Sequence, residues 1–260
     1  MALAVEAGCW VTAVHVDHGL RAGSAAEADL VRSAAIACGV KFRSLRVDVG
    51  EGPNLEARAR GARYAVLPAD VLVGHTADDQ AETVLINLLR GAGVGGLAGM
   101  RRDARRPLLD LRRHETHALC AELGWPLVDD EMNRDPRYQR VRVRHEVLPL
   151  LADIASRDVV EVLARQSALA ADVVAVLDQL ATALDATDAL AFRAAPAALA
   201  RWSLREWLRR ETGAEHPPSA AALDRVMAVV RGEVTATEIE GGWRVARSQQ
   251  RLSLRRNGAV

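Results

Sequence analysis

Cysteine is scarce in this chain, lysine almost absent, and no apolar run is long. The three cysteines, Cys9, Cys38 and Cys120, are odd in number, far apart and in no C-x-x-C pair. That spacing argues against a disulfide framework, a zinc site or an iron–sulfur cluster, and leaves the cysteines as small core residues. No stretch approaches the ~18–20 uninterrupted apolar residues of a membrane span, and the first residues lack the basic-then-apolar layout of a secretory leader. The expectation is a cytoplasmic, globular protein with no membrane partner. Lys41 is the only lysine, and formal net charge is +0. Bulk charge therefore says nothing in favour of nucleic acid. Arginine in lysine's place, with so much Ala, Val and Leu, is what a GC-rich genome alone produces, so only the position of an arginine carries information. Half of the 260 residues are apolar, enough for a sizeable core in one large or two ordinary domains.

The first half alternates strand and helix patterns. "CWVTAVHVDHG" (9–19) reads as a strand ending in polar residues, and "SAAEADLVRSAAIACGV" (24–40) as a helix with Ser24 and Glu27 forming a capping box. "FRSLRVDV" (42–49) is a second strand, and "NLEARARGARYAVLP" (54–68) a helix capped by Asn54 and closed near Pro68. A third strand, "VLVGH" (71–75), leads into a helix opening at Thr76. This rhythm predicts a doubly wound α/β fold with a parallel sheet. "MALAVEAG" reads as the last two turns of a helix, with Gly8 just past its end. Two turns without a beginning are poorly nucleated, so the expectation is an incomplete amino terminus. Beyond 151 the spacing is helical over 157–186 and 196–212, with a further helix from Ser219 to about 231. The tail alternates with period two around "GG" and "SQQ", which predicts small antiparallel strands. There is no convincing internal repeat.

"GHTADDQAETVLINLLRG" (74–91) places His75, Asp78, Asp79 and Glu82 within eight positions at the strand-to-helix junction, the crevice where open α/β sheets bind ligands. Thr76 with Asp79 forms a capping box, and the stabilisation of a helix start could explain both. It does not explain Glu82, one turn further on the Asp79 face, nor His75 or Asp78. Paired carboxylates can clamp an ammonium group or a divalent cation, while a helix amino terminus favours anions. "HVDHGLR" (15–21) puts Asp17, His18 and Gly19 on the same carboxyl edge; the plain alternative is a turn, with a local hydrogen bond from Asp17 and permissive backbone at Gly19. Arg101, Arg102, Arg105, Arg106, Arg112 and Arg113, then Arg134, Arg137, Arg140, Arg142 and Arg144, bracket the end of the α/β part. A solvated face is the usual account of such a run, but an arginine excess in two loops also suits phosphate contacts. Aromatic residues for base stacking are not interleaved, with only Trp125 and Tyr138 nearby.

In order, "HVDHGLR", "NLEARAR…RY", "GHTADDQAETVLINLLRGAGVGGLAGM", "RPLL" and "RVRVRHEVLPLL" resemble the tRNA(Ile)-lysidine synthetases, a family of PP-loop (N-type) ATP pyrophosphatases. The resemblance is close over about 1–151 and one of layout only beyond. It implies ATP-dependent ligation of lysine to C2 of the wobble cytidine of tRNA(Ile) through an adenylated tRNA intermediate. The implied cofactors are ATP and Mg²⁺, and the partners tRNA(Ile) with a CAU anticodon and free lysine; homodimerisation stays open. The implied domains are 1–151 (N-type ATP pyrophosphatase, N-terminally incomplete), 152–232 (helical, for tRNA and substrate) and 233–260 (β tail). The resemblance puts His75 and Asp78 beside the reacting groups, and lysine on Asp79 and Glu82, with Arg58 or Arg63 contacting substrate or intermediate. Asp17 and His18 border the nucleotide, and Arg106, Arg140 and Arg144 position the tRNA. The family's Ser-Gly-Gly-x-Asp-Ser phosphate loop has no counterpart here, since "GAGVGG" (91–96) follows a helix rather than a strand. Met132 and Val141 replace residues usual in the family. A truncated, catalytically inactive tRNA-binding remnant is the alternative. A tRNA thiolase of the same fold is disfavoured by the lack of paired cysteines.

Overall fold

The computed structural model describes residues 1–19, 24–50, 52, 55–127, 134–214 and 217–257, with backbone only for 24–26, 56 and 57. Capping by Ser24 and Asn54, and the departure at Met132, lie outside what is described. The chain divides into two compact units, Met1–Arg90 with Gly99–Arg165, and Gly91–Ala98 with Gln166–Val260.

In the first unit, helix α1 (Ala2–Glu6) ends just before Gly8 and leads into strand β1 (Thr12–Asp17). Helix α2 (Ser24–Ala37) then crosses over to strand β2 (Lys41–Arg46). The strands pair in parallel, from Thr12 opposite Lys41 to Asp17 opposite Arg46, as a crossover helix requires. Helix α3 (Leu55–Val66) follows. Residues 71–75, expected as a third strand, form no ladder. Val73 donates its N–H to the Arg105 carbonyl at 2.8 Å, and Val71 to that of Pro68 at 3.1 Å. β-branched residues favour a strand, but only a partner's backbone makes one, and among the described residues β1 and β2 pair only with each other.

Helix α4 (Ala77–Leu89) has two working faces. Ala77, Ala81 and Leu85 pack on Val143, Leu148, Val159 and Val160; Asp78, Asp79 and Glu82 lie on the other side. Gln80, fully buried, pins the chain that returns over α4. Its Nε2 donates to the Met100 carbonyl at 3.1 Å and its Oε1 accepts the Met100 N–H at 2.8 Å. Gly99 must be glycine there: its φ is +64°, and a Cβ would meet the Gln80 amide at 2.8 Å. The short helix α5 (Val94–Leu97) belongs to the second unit. Helix α6 (Arg113–Glu122) follows, then α7 (Gln139–Arg142), a π-turn at Val143–Val147 and α8 (Leu148–Ala155) in continuous succession. Helix α9 (Val159–Ala181) begins in the first unit and ends in the second.

The second unit has an apolar core. Helices α10 (Ala189–Ala194), α11 (Ala197–Thr212) and α12 (Ala220–Arg231) enclose it with an antiparallel meander of β3 (Ala236–Ile239), β4 (Trp243–Ser248) and β5 (Arg251–Arg256). Phe192, Leu204, Leu208, Val226, Val229, Val230 and Val245 are fully buried in it. Ser219 caps α12, as expected, by accepting the Ala222 N–H at 3.2 Å. The turns of the meander fall at Gly241–Gly242 and Gln249–Gln250, where the sequence pattern put them. The glycine-rich loop packs rather than cradles: a Cβ on Gly95 would meet the Trp202 ring at 3.0 Å, and the Trp202 indole N–H donates to Asp178 at 2.8 Å.

The cysteines are free but are not core residues. Cys9 is exposed, lying between α1 and β1, and Cys38 and Cys120 are half-buried near helix ends. No helix among the described residues is long and apolar enough to cross a membrane.

Candidate active site

The start of α4 organises the site. Asp79 Oδ2 accepts the Thr76 backbone N–H at 2.8 Å and the Thr76 hydroxyl at 3.0 Å, so the capping box occupies one of its oxygens. The other, Oδ1, faces guanidinium nitrogens of Arg113 at 3.1 Å, Arg140 at 3.4 Å and Arg144 at 3.8 Å. One turn on, the Glu82 side chain has no exposed surface and is fully engaged. Its Oε1 accepts from Arg113 Nη2 at 2.9 Å and Arg144 Nε at 2.7 Å. Its Oε2 accepts from Arg140 Nε at 2.7 Å and Arg144 Nη2 at 3.1 Å. Three cations meet two anions, leaving a positive surplus. Burial alone would raise the Glu82 carboxyl, but hydrogen bonds from Arg144 and Arg140 outweigh it and hold it below the usual range. Asp79 is held down in the same way against its own burial, first by the Thr76 N–H and then by Arg113 and Arg140.

Asp78 points to a different neighbour. Its Oδ2 accepts the backbone N–H of Arg113, the first residue of α6, at 2.7 Å, so a carboxylate from α4 caps α6. Arg112 adds bonds from Nε and Nη2 to Asp78 at 3.2 Å each and also pairs with Asp158. The Asp78 carboxyl, pushed up by burial, is pulled below its ordinary value by Arg112 and the Arg113 N–H. Glu115 closes the same helix start by accepting the Arg112 N–H at 2.6 Å.

His75, just ahead of the cap, is lowered chiefly by burial, with Arg60, Arg140 and Arg106 adding to the effect and Asp79 opposing it. It is a neutral imidazole at neutral pH, and its Nδ1 has no hydrogen-bond partner among the described residues. At the end of β1, Asp17 Oδ1 accepts the Gly19 N–H at 2.8 Å, so the local turn is real. His18, lowered by burial and by Arg63, receives Arg63 Nε on its Nε2 at 3.2 Å. Arg58 instead grips the loop after β2, donating to the carbonyls of Val49 at 3.2 Å, Gly50 at 2.6 Å and Gly52 at 2.5 Å. Arg106 donates to both Asp103 oxygens, at 3.2 and 3.1 Å.

The fold thus gathers His75, Asp79, Glu82, Arg140 and Arg144 around one point and sets Asp78 against α6. Asp17, His18 and Arg63 form a second group at the end of β1. An open cleft of about 430 Å³ beside α6, lined by Ala77, Leu109, Asp110, Arg112, His114 and Glu161 among others, contains none of the candidate residues. Residues 1–151 match the PP-loop domain family, and 188–253 match the TilS substrate binding domain. Across 98% of its length the chain is 43% identical to the tRNA(Ile)-lysidine synthase of Nocardia farcinica, of which it covers 87%. The chain belongs to the tRNA(Ile)-lysidine synthase family. The corresponding Mycobacterium tuberculosis protein is 40% identical over 99% of this chain and 85% of its own length. That of Mycolicibacterium paratuberculosis is 51% identical over 73% and 58% respectively.

Sequence reasoning placed Arg112 and Arg113 in an arginine run open to phosphate or solvent and did not join them to α4. The structure commits both to its carboxylates. A signal was available, since a cation at a helix amino terminus opposes the helix dipole and asks for a nearby anion. Arg112 and Arg113 open α6 in just that unfavourable place. Much of the remaining run is paired locally as well, Arg137 with Asp135 and Arg142 with Glu146.

Proposed function

We propose that this chain ligates lysine to C2 of the wobble cytidine of tRNA(Ile), with ATP first adenylating the base and the lysine amine then displacing AMP. The observation that carries this reading is the extent of the likeness, which runs through a PP-loop domain and a substrate-binding domain in the same order. In this reading 1–151 performs the chemistry, and 152–232 with the tail 233–260 engages the tRNA carrying a CAU anticodon. Asp79 and Glu82 hold the lysine ammonium, and neutral His75 is able to accept a proton beside the reacting groups. Asp78, with its oxygens spent on Arg112 and the Arg113 N–H, acts by positioning. Asp17 and His18 border the nucleotide, Arg63 keeps His18 in place, and Arg58 shapes the 49–52 loop. The positive surplus at Arg140 and Arg144, with Arg106, faces the polyanion.

Mg²⁺ fits these residues poorly. Among the described residues no group of three or more His, Cys, Asp or Glu is placed to hold a metal, and the α4 carboxylates are taken by arginines. Nothing in this mechanism is therefore routed through a metal. The competing reading is tRNA binding without catalysis. Lysine-dependent AMP release in the presence of tRNA(Ile) separates the two. Release is the expected outcome. Tight tRNA binding with no release would favour the competing reading.

A further inference from the structure

We propose that Arg113 sits in the seat of the substrate's ammonium group, bridging Asp79 and Glu82, and that lysine binds by displacing it. The proposal rests on the assignment of Asp79 and Glu82 to the lysine amine. Glu82 has no exposed surface and all its contacts are to guanidiniums, so an incoming amine reaches it only if one arginine leaves. The three are not equally anchored. Arg144 grips Glu82 through Nε and Nη2. Arg140 uses Nε on Glu82 and Nη2 on the Asp79 carbonyl and carboxylate. Arg113 uses a single nitrogen, Nη2, which lies 3.1 Å from Asp79 Oδ1 and 2.9 Å from Glu82 Oε1. That nitrogen marks a point from which one donor centre reaches both carboxylates, and a primary ammonium, with three N–H bonds, can make the same pair of bonds from the same place.

Charge is conserved in the exchange, one cation leaving as another arrives, while Arg140 and Arg144 stay on both carboxylates throughout. The backbone need not move. Arg113 opens α6, its N–H stays on Asp78 at 2.7 Å, and its side chain is 25% exposed, leaving the guanidinium a path to solvent. Arg113 would then act as a specificity residue: a neutral side chain of lysine's length cannot take over the charge the guanidinium gives up, and so cannot dislodge it.

Two measurements on this chain test the proposal without turnover. First, phenylglyoxal labelling read by peptide mass spectrometry is expected to show Arg113 becoming more reactive when L-lysine is added, while Arg140 and Arg144 stay protected. Unchanged or reduced labelling of Arg113 would overturn the proposal. Second, calorimetric titration with L-lysine is expected to give a Kd about tenfold lower for Arg113→Gln than for the parent, the gain expected when a competing occupant holds the site about nine-tenths of the time. Equal, weaker or absent binding by a folded Arg113→Gln also overturns it. Asp79→Asn, added to either background, separates this failure from that of the underlying assignment. If it leaves lysine affinity unchanged in both, lysine does not use these carboxylates, and the displacement idea falls with the assignment.

Discussion

The two units are held together by different physics. Around α4 of the first unit, the interior contains ions: Glu82 and Asp79 against Arg113, Arg140 and Arg144, with Asp78 against Arg112. Around α12 of the second unit, the interior is hydrocarbon, from Phe192 and Trp207 to Val226, Val230 and Val245. An apolar core derives its stability from area removed from water. A buried ionic cluster gains little net stability over a well-packed apolar replacement, yet is costly to break from one side. The contrast marks one region as built to stay folded and the other as built to present charge.

The comparison can be broken from either side. Glu82→Gln leaves three guanidiniums facing Asp79 alone and should weaken the first unit by about 3–5 kcal/mol. Phe192→Ala, at a side chain that is 1% exposed, should cost the second unit a similar ~3–5 kcal/mol. Hydrogen exchange followed separately on 77–89 and 220–231 checks both, each variant deprotecting chiefly its own helix; equal loss in both helices from either substitution would sink the contrast. Gly99→Ala should cost less, on the order of 1–3 kcal/mol, because it strains a positive φ and presses on the Gln80 amide that satisfies Met100. Its effect should likewise fall on 77–89, and full retention of protection there would contradict the Gln80 pin.

Acid sharpens the same contrast by a smaller amount. Asp78, Asp79 and Glu82 titrate below their ordinary values in the folded protein. Their stabilisation is complete above about pH 4–4.5 and is lost as pH falls through the lower folded values. His75, also lowered, acts in the same direction: the fold favours its neutral form, a contribution complete above about pH 6.5 and lost as pH falls through its depressed value. Protection of 77–89 should therefore decline on acidification, after correction for intrinsic exchange, before that of 220–231, whose buried face is apolar. The reverse order would contradict the assignment.

Local features were readable in the amino acids and distant ones were not. The Thr76–Asp79 cap, the helix it opens, the Ser219 cap and the turns of the β tail follow from residues a few positions apart, and the structure contains them all. The ion cluster follows from residues 31 to 65 positions apart, a separation no periodicity encodes. Arg58 shows the same limit at shorter range. Its charge suited a substrate contact, but its use on three backbone carbonyls depends on where the loop after β2 returns. The run 71–75 shows the converse, strand composition without a strand, because pairing belongs to the neighbour as much as to the segment.

The π-turn at Val143–Val147 gives chain length itself a role. It lies between the α-helical turn that carries Arg140 and the α8 helix packed on α4, with Arg144 inside it. Removing one residue from that turn would leave every arginine and carboxylate of the cluster in the sequence, yet rotate whatever lies on one side of it by about 100° relative to the other. A family member could lose this cluster through a single-codon deletion that touches none of its charges, so a residue-by-residue comparison would pass it as intact.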